Sequence, residues 1–156
     1  MKKIIFGITS LTLGGAEKVL VDLANKLSEN YDITILTIYA KGEFEKKLNS
    51  NVKLKTIFDF QFNELSNLKK KITALKILFF KKYYYKKYIK RDYDIEIAFL
   101  EGPITRLFSV KNKNTRKIAW IHNDISKVYG KGFKAKLKMA IDKKIYRSEE
   151  HTSELQ

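Results

Sequence analysis

The sequence predicts an α/β protein with a Rossmann-like open parallel sheet and helices on both faces. Strand-length apolar runs alternate with helix-length amphipathic segments along most of the chain. The strands are nearly continuous apolar runs, which is typical of parallel strands buried on both faces. Pro103 is the single proline, and no low-complexity linker interrupts the pattern. Residues 1–146 therefore form one predicted domain of ordinary size.

The individual elements follow from local patterns. Apolar and β-branched runs predict strands, at residues 2–9, 31–40, 52–58, 93–100 and 116–122. Helices are predicted at residues 15–28, 42–49, 64–91 (one helix or two), 102–110 and 132–146. In the first helix, a three- and four-residue spacing places four apolar residues on the predicted core face: Val19, Leu20, Leu23 and Leu27.

The last ten residues, RSEEHTSELQ (147–156), differ in composition from the lysine- and isoleucine-rich sequence before them. They resemble the translation of a sequencing-library adapter read through in frame, and we expect them to be an artefact. On this interpretation His151 carries no function and the natural sequence continues past Tyr146. The alternative is a natural polar tail.

The composition limits the possible classes of protein. Without cysteine, the chain has neither a disulfide framework nor a thiolate metal site. The apolar start, MKKIIFGITSLTLGG, is short and broken by Thr9, Ser10 and Thr12, so it predicts a buried strand rather than a signal peptide. No apolar run approaches the roughly 18 residues that span a bilayer. We expect a cytoplasmic protein, either free or peripheral on the inner face of the cell membrane.

The formal net charge of +15 favours polyanions or anionic lipid surfaces as partners. Residues 66–91 contain ten Lys or Arg and no acidic residue, interleaved with aromatics. This pattern predicts membrane-surface contact through four lysines: Lys81, Lys82, Lys86 and Lys87. The alternative is a core-facing helix with a solvated lysine face. Nucleic acid would also be attracted, but we expect no nucleic-acid partner because no helix-turn-helix, RNA-binding aromatic signature or zinc spacing is present.

Two adjacent glycines, Gly14 and Gly15, open the first helix although glycine weakens helices. A tight turn, a close packing contact or a ligand approaching the backbone would each explain them. Their position after the first strand is an edge where parallel sheets bind ligands, and a helix start there attracts anions. The segment is neither a GxGxxG fingerprint nor a Walker loop, so the glycines alone do not decide between a turn and a site.

The ordered segments GGAE (14–17), FLEG (99–102) and WIHND (120–124) together resemble the amino-terminal domain of glycosyltransferase family 4. The resemblance covers essentially residues 1–146. It implies a GT-B enzyme, in which two Rossmann-like domains enclose the active site and a sugar is transferred from a nucleotide-sugar with retention. It also implies that no metal or other cofactor is required. The second domain, which would hold the nucleotide-sugar, is absent from this sequence.

The resemblance also implies site residues. Gly14 and Gly15 match the loop that faces the donor diphosphate, and His122 matches a catalytic histidine near the donor sugar. Apart from the resemblance, the positions of Glu101 and Gly102 after the fourth predicted strand, and of Asp124 after the fifth, predict that these residues bind the acceptor. Structural alternatives stay open: a helix-start pair before Pro103, a turn-capping Asp124, and a hydrogen-bonded structural His122. Trp120 is expected in the core rather than as a sugar-stacking platform.

The leading hypothesis is the amino-terminal fragment of a retaining glycosyltransferase, inactive alone, that acts on a glycan or lipid-linked acceptor in surface polysaccharide or glycolipid synthesis. The alternative is a basic α/β module that binds nucleic acid or an anionic membrane without catalysis. A different two-domain enzyme built on the same half-fold is a third possibility, because fold does not fix function.

Overall fold

A computed structural model describes residues 1–90 and 92–120. In this part of the chain, five parallel strands form one open sheet in the order β3-β2-β1-β4-β5. The strands are β1 (Lys3–Ile8), β2 (Asp32–Ala40), β3 (Lys53–Gln61), β4 (Ile95–Ala98) and β5 (Arg116–Ala119). The helices are α1 (Gly15–Leu27), α2 (Asn67–Phe79), α3 (Lys81–Tyr88) and α4 (Pro103–Phe108), with 3₁₀ turns at Glu43–Lys47 and Phe62–Glu64.

The predicted α/β fold with helices on both faces is confirmed. The structure contains each predicted strand and helix up to residue 119, whereas the last predicted helix, 132–146, lies outside the described residues. The predicted helical segment 64–91 is two helices, which break at Phe80 (φ −107°, ψ 24°).

Alternate residues of the central strand separate the two layers of the core. Ile4, Phe6 and Ile8 of β1 pack with α1 and the 3₁₀ turn at 43–47. Ile5 lies on the opposite face with α2, α3 and α4. This alternation is what a strand of period two produces when both of its faces are covered.

The buried stripe of α1 is rotated around the helix axis from the predicted one. Leu20, Val21 and Ala24 are buried, and Leu23 and Leu27 pack partly against the same cluster. Val19 is 50% exposed, so its predicted place in the core is wrong. One stripe of the helix suffices to cover the sheet, and Val19, about 100° around the axis from Leu20, falls outside it.

The helices α2 and α3 divide their apolar residues between core and solvent. Thr73, Ile77 and Tyr85 are buried against the sheet, as is Ile89 directly after α3. Six large apolar or aromatic residues of the same segment are exposed: Leu68, Ile72, Leu75, Phe79, Phe80 and Tyr83. We call these six residues the α2–α3 apolar patch.

Candidate functional site

The order in which successive strands are added to the sheet changes direction between β1 and β4. From β1 the chain passes through α1 to β2 on one side, and from β3 it returns through α2 and α3 to β4 on the other side of β1. The loops that follow β1 and β4 therefore diverge at this switch point, where open parallel sheets place their ligands. The structure brings two pairs of predicted site residues to this edge: Gly14 with Gly15, and Glu101 with Gly102.

The loop between β1 and α1 is fixed by neighbouring backbone. The Thr9 carbonyl accepts hydrogen bonds from the amides of Ile38 and Tyr39 at 3.1 and 3.0 Å. The Leu11 carbonyl accepts one from Phe44 at 2.9 Å. A Cβ at Gly42 would lie 2.3 Å from the Leu11 carbonyl carbon, so only glycine permits this approach. The segment that leads to Gly14 is thereby held in one place.

The backbone geometry of Gly14 and Gly15 tests the three explanations for the pair, which are a tight turn, a close packing contact and an approaching ligand. Gly14 has an extended backbone (φ −173°, ψ 163°) that any residue adopts, so no glycine-specific turn is present. A Cβ on Gly14 would meet the carboxylate end of Glu17, a flexible group in the first turn of α1. A Cβ on Gly15 would have no atom within 4 Å. Neither turn geometry nor packing requires glycine at position 15, and the space beside it is open.

Gly102 has a different reason to be glycine. Its φ of +99° with ψ of −134° is a conformation that side chains rarely adopt, and Pro103 starts α4 directly after it. Thr105 Oγ1 donates to the Leu100 carbonyl at 2.6 Å and closes the same turn. The helix-start explanation thus accounts for Gly102, whereas Glu101 lies half-buried in the loop.

The indole of Trp120 is at the sheet edge rather than in the core, so that prediction is wrong. The last β4–β5 pair is Ala98 with Ala119, and Trp120 follows it, with 46% of its surface exposed. Its amide still donates to the Ala98 carbonyl at 2.8 Å, and its ring centroid is 5.0 Å from that of Phe99. His122 and Asp124 follow Trp120 but lie outside the described residues.

A buried charged network lies on the α3–α4 side of the sheet, and the sequence interpretation missed it. The Glu96 side chain is fully buried on β4, where it accepts hydrogen bonds from Tyr85 Oη at 2.5 Å and from Lys117 Nζ. Lys117 Nζ also donates to the Phe108 carbonyl at 2.7 Å. A single acid inside the apolar run YDIEIAFL was the available signal, because a buried carboxylate requires partners.

The four predicted membrane-surface lysines have unequal environments. Lys81 is half-buried and donates to Ser109 Oγ at 3.3 Å, while Lys82 and Lys86 are exposed. Lys87 Nζ lies 5.8 Å from the ring centroid of Tyr83 and 5.4 Å from that of Tyr88. Electrostatic attraction to Tyr83 is the largest cause that raises the pKa of Lys87 above the usual lysine value, and attraction to Tyr88 is the second largest. This lysine therefore stays cationic at physiological pH.

Across residues 1–90 and 92–120, no cluster of three or more His, Cys, Asp or Glu side chains has a geometry suited to a metal ion. Within the same ranges, none of the helices combines the length and the apolarity that crossing a membrane requires.

Comparisons with known proteins give one informative match. No protein-family profile matches the chain. Over 65 residues the chain is 42% identical to a Campylobacter jejuni enzyme named GalNAc-α-(1→4)-GalNAc-α-(1→3)-diNAcBac-PP-undecaprenol α-1,4-N-acetyl-D-galactosaminyltransferase. The alignment covers 42% of this chain and 18% of that enzyme. The match supports a glycosyltransferase relationship.

Proposed function

We propose that this domain is the amino-terminal half of a retaining GT-B glycosyltransferase of family 4, which transfers a sugar from a nucleotide-sugar to a glycan or lipid-linked acceptor. The partial identity to the C. jejuni transferase carries the proposal, because the name of that enzyme specifies a glycan on a diphosphate-linked lipid. Such a reaction belongs to surface polysaccharide or glycolipid synthesis at the cytoplasmic face of a membrane. A second domain supplies the nucleotide-sugar site, so the present chain alone is inactive.

The proposed donor contact is the start of α1. The open space beside Gly15 lets a diphosphate oxygen approach the backbone amides of the first turn, where the helix dipole is positive. Gly14 continues the same unobstructed backbone once the Glu17 side chain turns aside. This electrostatic stabilisation of the leaving diphosphate substitutes for a metal ion.

The proposed role of His122 comes from the resemblance of WIHND (120–124) to glycosyltransferase family 4, and the roles of Glu101, Gly102 and Asp124 come from their sequence positions after predicted strands. His122 hydrogen-bonds a donor-sugar hydroxyl in the transition state. Glu101 and Asp124 accept hydrogen bonds from acceptor hydroxyls, and Gly102 fixes the turn that presents Glu101.

A transfer assay tests this proposal. The product of the complete gene should transfer sugar from a member of a nucleotide-sugar panel to a polyprenyl-diphosphate-linked glycan, and the 156-residue chain should not. His122→Ala in the complete enzyme should lower turnover roughly ten- to a thousandfold, the scale of one lost transition-state hydrogen bond. Unchanged kinetics with a lower Tm would assign His122 to structure, and transfer by the 156-residue chain alone would refute the two-domain requirement.

We also propose that α2 and α3 dock on an anionic membrane, which would bring a lipid-linked acceptor to the domain. Phe79 and Phe80, at the break between the helices, are 76% and 60% exposed. The patch they belong to lies within a segment of ten basic residues and no acid. Exposed apolar groups flanked by lysines complement the interface of an anionic bilayer in both hydrophobicity and charge.

Vesicle sedimentation tests the docking. The chain should bind vesicles of phosphatidylcholine with phosphatidylglycerol, and added salt should release it. Phe79→Ser with Phe80→Ser, and separately Lys87→Gln, should weaken binding several-fold. Lys18→Gln, on the opposite face of the sheet, is the charge-matched control and should leave it unchanged. Binding that ignored both lipid charge and salt would exclude this mode of docking.

A further inference from the structure

An open pocket of about 1000 Å³ lies between α3 and the segment that follows α4. Five lysines and one hydroxyl define its character: Lys81, Lys82, Lys86, Lys90, Lys111 and Ser109. Among the described residues that line it, none is acidic. A concave site of this size accommodates a small molecule, and the charge of its walls selects an anion.

The spacing of the lysines makes this concentration of charge costly for the helix. Lys82 and Lys86 are four residues apart on α3, where like charges repel along a helix face, and Lys90 adds a further positive charge directly after the helix. Glu96 contacts the pocket residue Tyr85, but its carboxylate already accepts a hydrogen bond from Lys117. A bound anion would supply the missing compensation.

The backbone of Lys90 is strained. Its φ is 58°, in the left-handed region, and its amide donates to the Tyr85 carbonyl at 3.2 Å where α3 ends. Helices commonly place glycine at such a position because other residues are strained there. Lys90 lines the pocket in this conformation, and local strain of this kind often marks a functional position.

The pocket floor is anchored to the sheet. Tyr85, which lines the pocket, is buried and tied through its hydroxyl to Glu96 on β4. Lys81 on one wall donates to Ser109 on the other at 3.3 Å. These two hydrogen bonds join the pocket walls and floor in the absence of a ligand, and preorganisation of this kind reduces the entropy lost on binding.

We propose that this pocket binds a multiply charged phosphate group, with diphosphate preferred over monophosphate. Several ammonium groups around one cavity match a ligand whose charge is spread over two linked phosphates. The pocket is separate from the proposed donor site: Lys90 and Lys111 precede the amino-terminal ends of β4 and β5, whereas Gly15 lies beyond the carboxyl end of β1. The proposal goes beyond the transferase activity and does not depend on it.

Calorimetry with inorganic pyrophosphate and the 156-residue chain tests the proposal directly. At physiological salt, pyrophosphate should bind more tightly than inorganic phosphate. Lys82→Gln with Lys86→Gln should weaken pyrophosphate binding at least tenfold. Lys18→Gln with Lys46→Gln removes the same charge from exposed positions on the other face and should change it less than twofold. Equal losses in the two double variants, or no binding of millimolar pyrophosphate, would overturn the site.

Two lysines have a left-handed backbone, and only one of them lines the pocket. Comparing their glycine variants separates an effect on pyrophosphate binding from an effect on Tm. Lys41 has a φ of 61° but lies after β2, away from the pocket. Lys90→Gly and Lys41→Gly should both hold or raise the Tm, because each relieves a strained backbone. Only Lys90→Gly should weaken pyrophosphate binding. Undiminished binding by Lys90→Gly would show that the strained lysine does not serve the anion.

Vesicles distinguish a lipid-borne phosphate from a soluble one. Phosphatidylcholine vesicles are doped with either phosphatidic acid or phosphatidylserine at matched total charge. A preference for phosphatidic acid that pyrophosphate abolishes would support the site with a phospholipid source. Pyrophosphate binding without that preference would support the site with a soluble diphosphate.

Discussion

Among the described residues, the fold requires glycine at positions 7, 42 and 102, each for a different physical reason. It does not require glycine at position 15. Gly7 lies under the Phe108 ring, Gly42 touches the Leu11 backbone, and Gly102 has a positive φ. Gly15 has open space around its Cβ position. Single-residue substitutions can therefore separate the glycines that the fold requires from Gly15, which we propose faces a ligand.

Gly42→Ala should lower the free energy of unfolding by about 1–3 kcal/mol, because the added methyl group overlaps the Leu11 backbone. Gly15→Val should maintain or raise it, since valine is a better helix former than glycine and meets nothing. Urea unfolding followed by circular dichroism measures both.

In the complete enzyme, Gly15→Val should reduce kcat/KM for the nucleotide-sugar, because the branched side chain occupies the space proposed for the diphosphate. Gly42→Ala, assayed at a temperature where it remains folded, is the control for a general loss of structure. Normal donor use by Gly15→Val would leave the glycine without a ligand role.

At the scale of elements, the Glu96 network connects α3, the end of α4 and two strands. Tyr85 comes from α3, Lys117 from β5 and the accepting carbonyl of Phe108 from the end of α4. The side chain of Glu96 is 0% exposed and that of Lys117 15% exposed. A buried pair of this kind is costly to break because the remaining charge is stranded.

Lys117→Met should lower the free energy of unfolding by about 3–5 kcal/mol, because it leaves the Glu96 carboxylate buried without its cation. Lys26→Met removes the lysine of an exposed pair with Glu29 and should cost at most about 1 kcal/mol. Urea unfolding at neutral pH compares the two. Equal losses would mean that the Glu96 carboxylate finds solvent or another partner.

At the scale of the whole molecule, the net charge of +15 affects the stability of the folded state. Like charges repel in the compact state, and this repulsion is screened as ionic strength rises. Raising NaCl from about 20 to 200 mM shortens the screening length several-fold and should raise the Tm. Sodium pyrophosphate at equal ionic strength should raise it further by occupying the proposed pocket. A Tm that fell or stayed constant in NaCl would show that charge repulsion does not limit stability.

Much of the architecture followed from local patterns. A continuous apolar run such as the first strand can bury both faces only inside a covered parallel sheet, so the sheet and its alternation with helices were predictable. The edge at which Gly14, Gly15, Glu101 and Gly102 lie was predictable for the same reason, because parallel strands end together.

The sequence by itself determined the α/β class, the strand and helix positions, and the shared edge of the glycine loops. Tertiary structure alone decided which apolar residues of α1, α2 and α3 are buried, because each helix carries more of them than the sheet can cover. Only the tertiary structure pairs Glu96 with Lys117 and places Lys81 and Lys111 around one pocket. Residues so far apart in the chain meet only when strand order is fixed, and strand order depends on packing over the whole sheet.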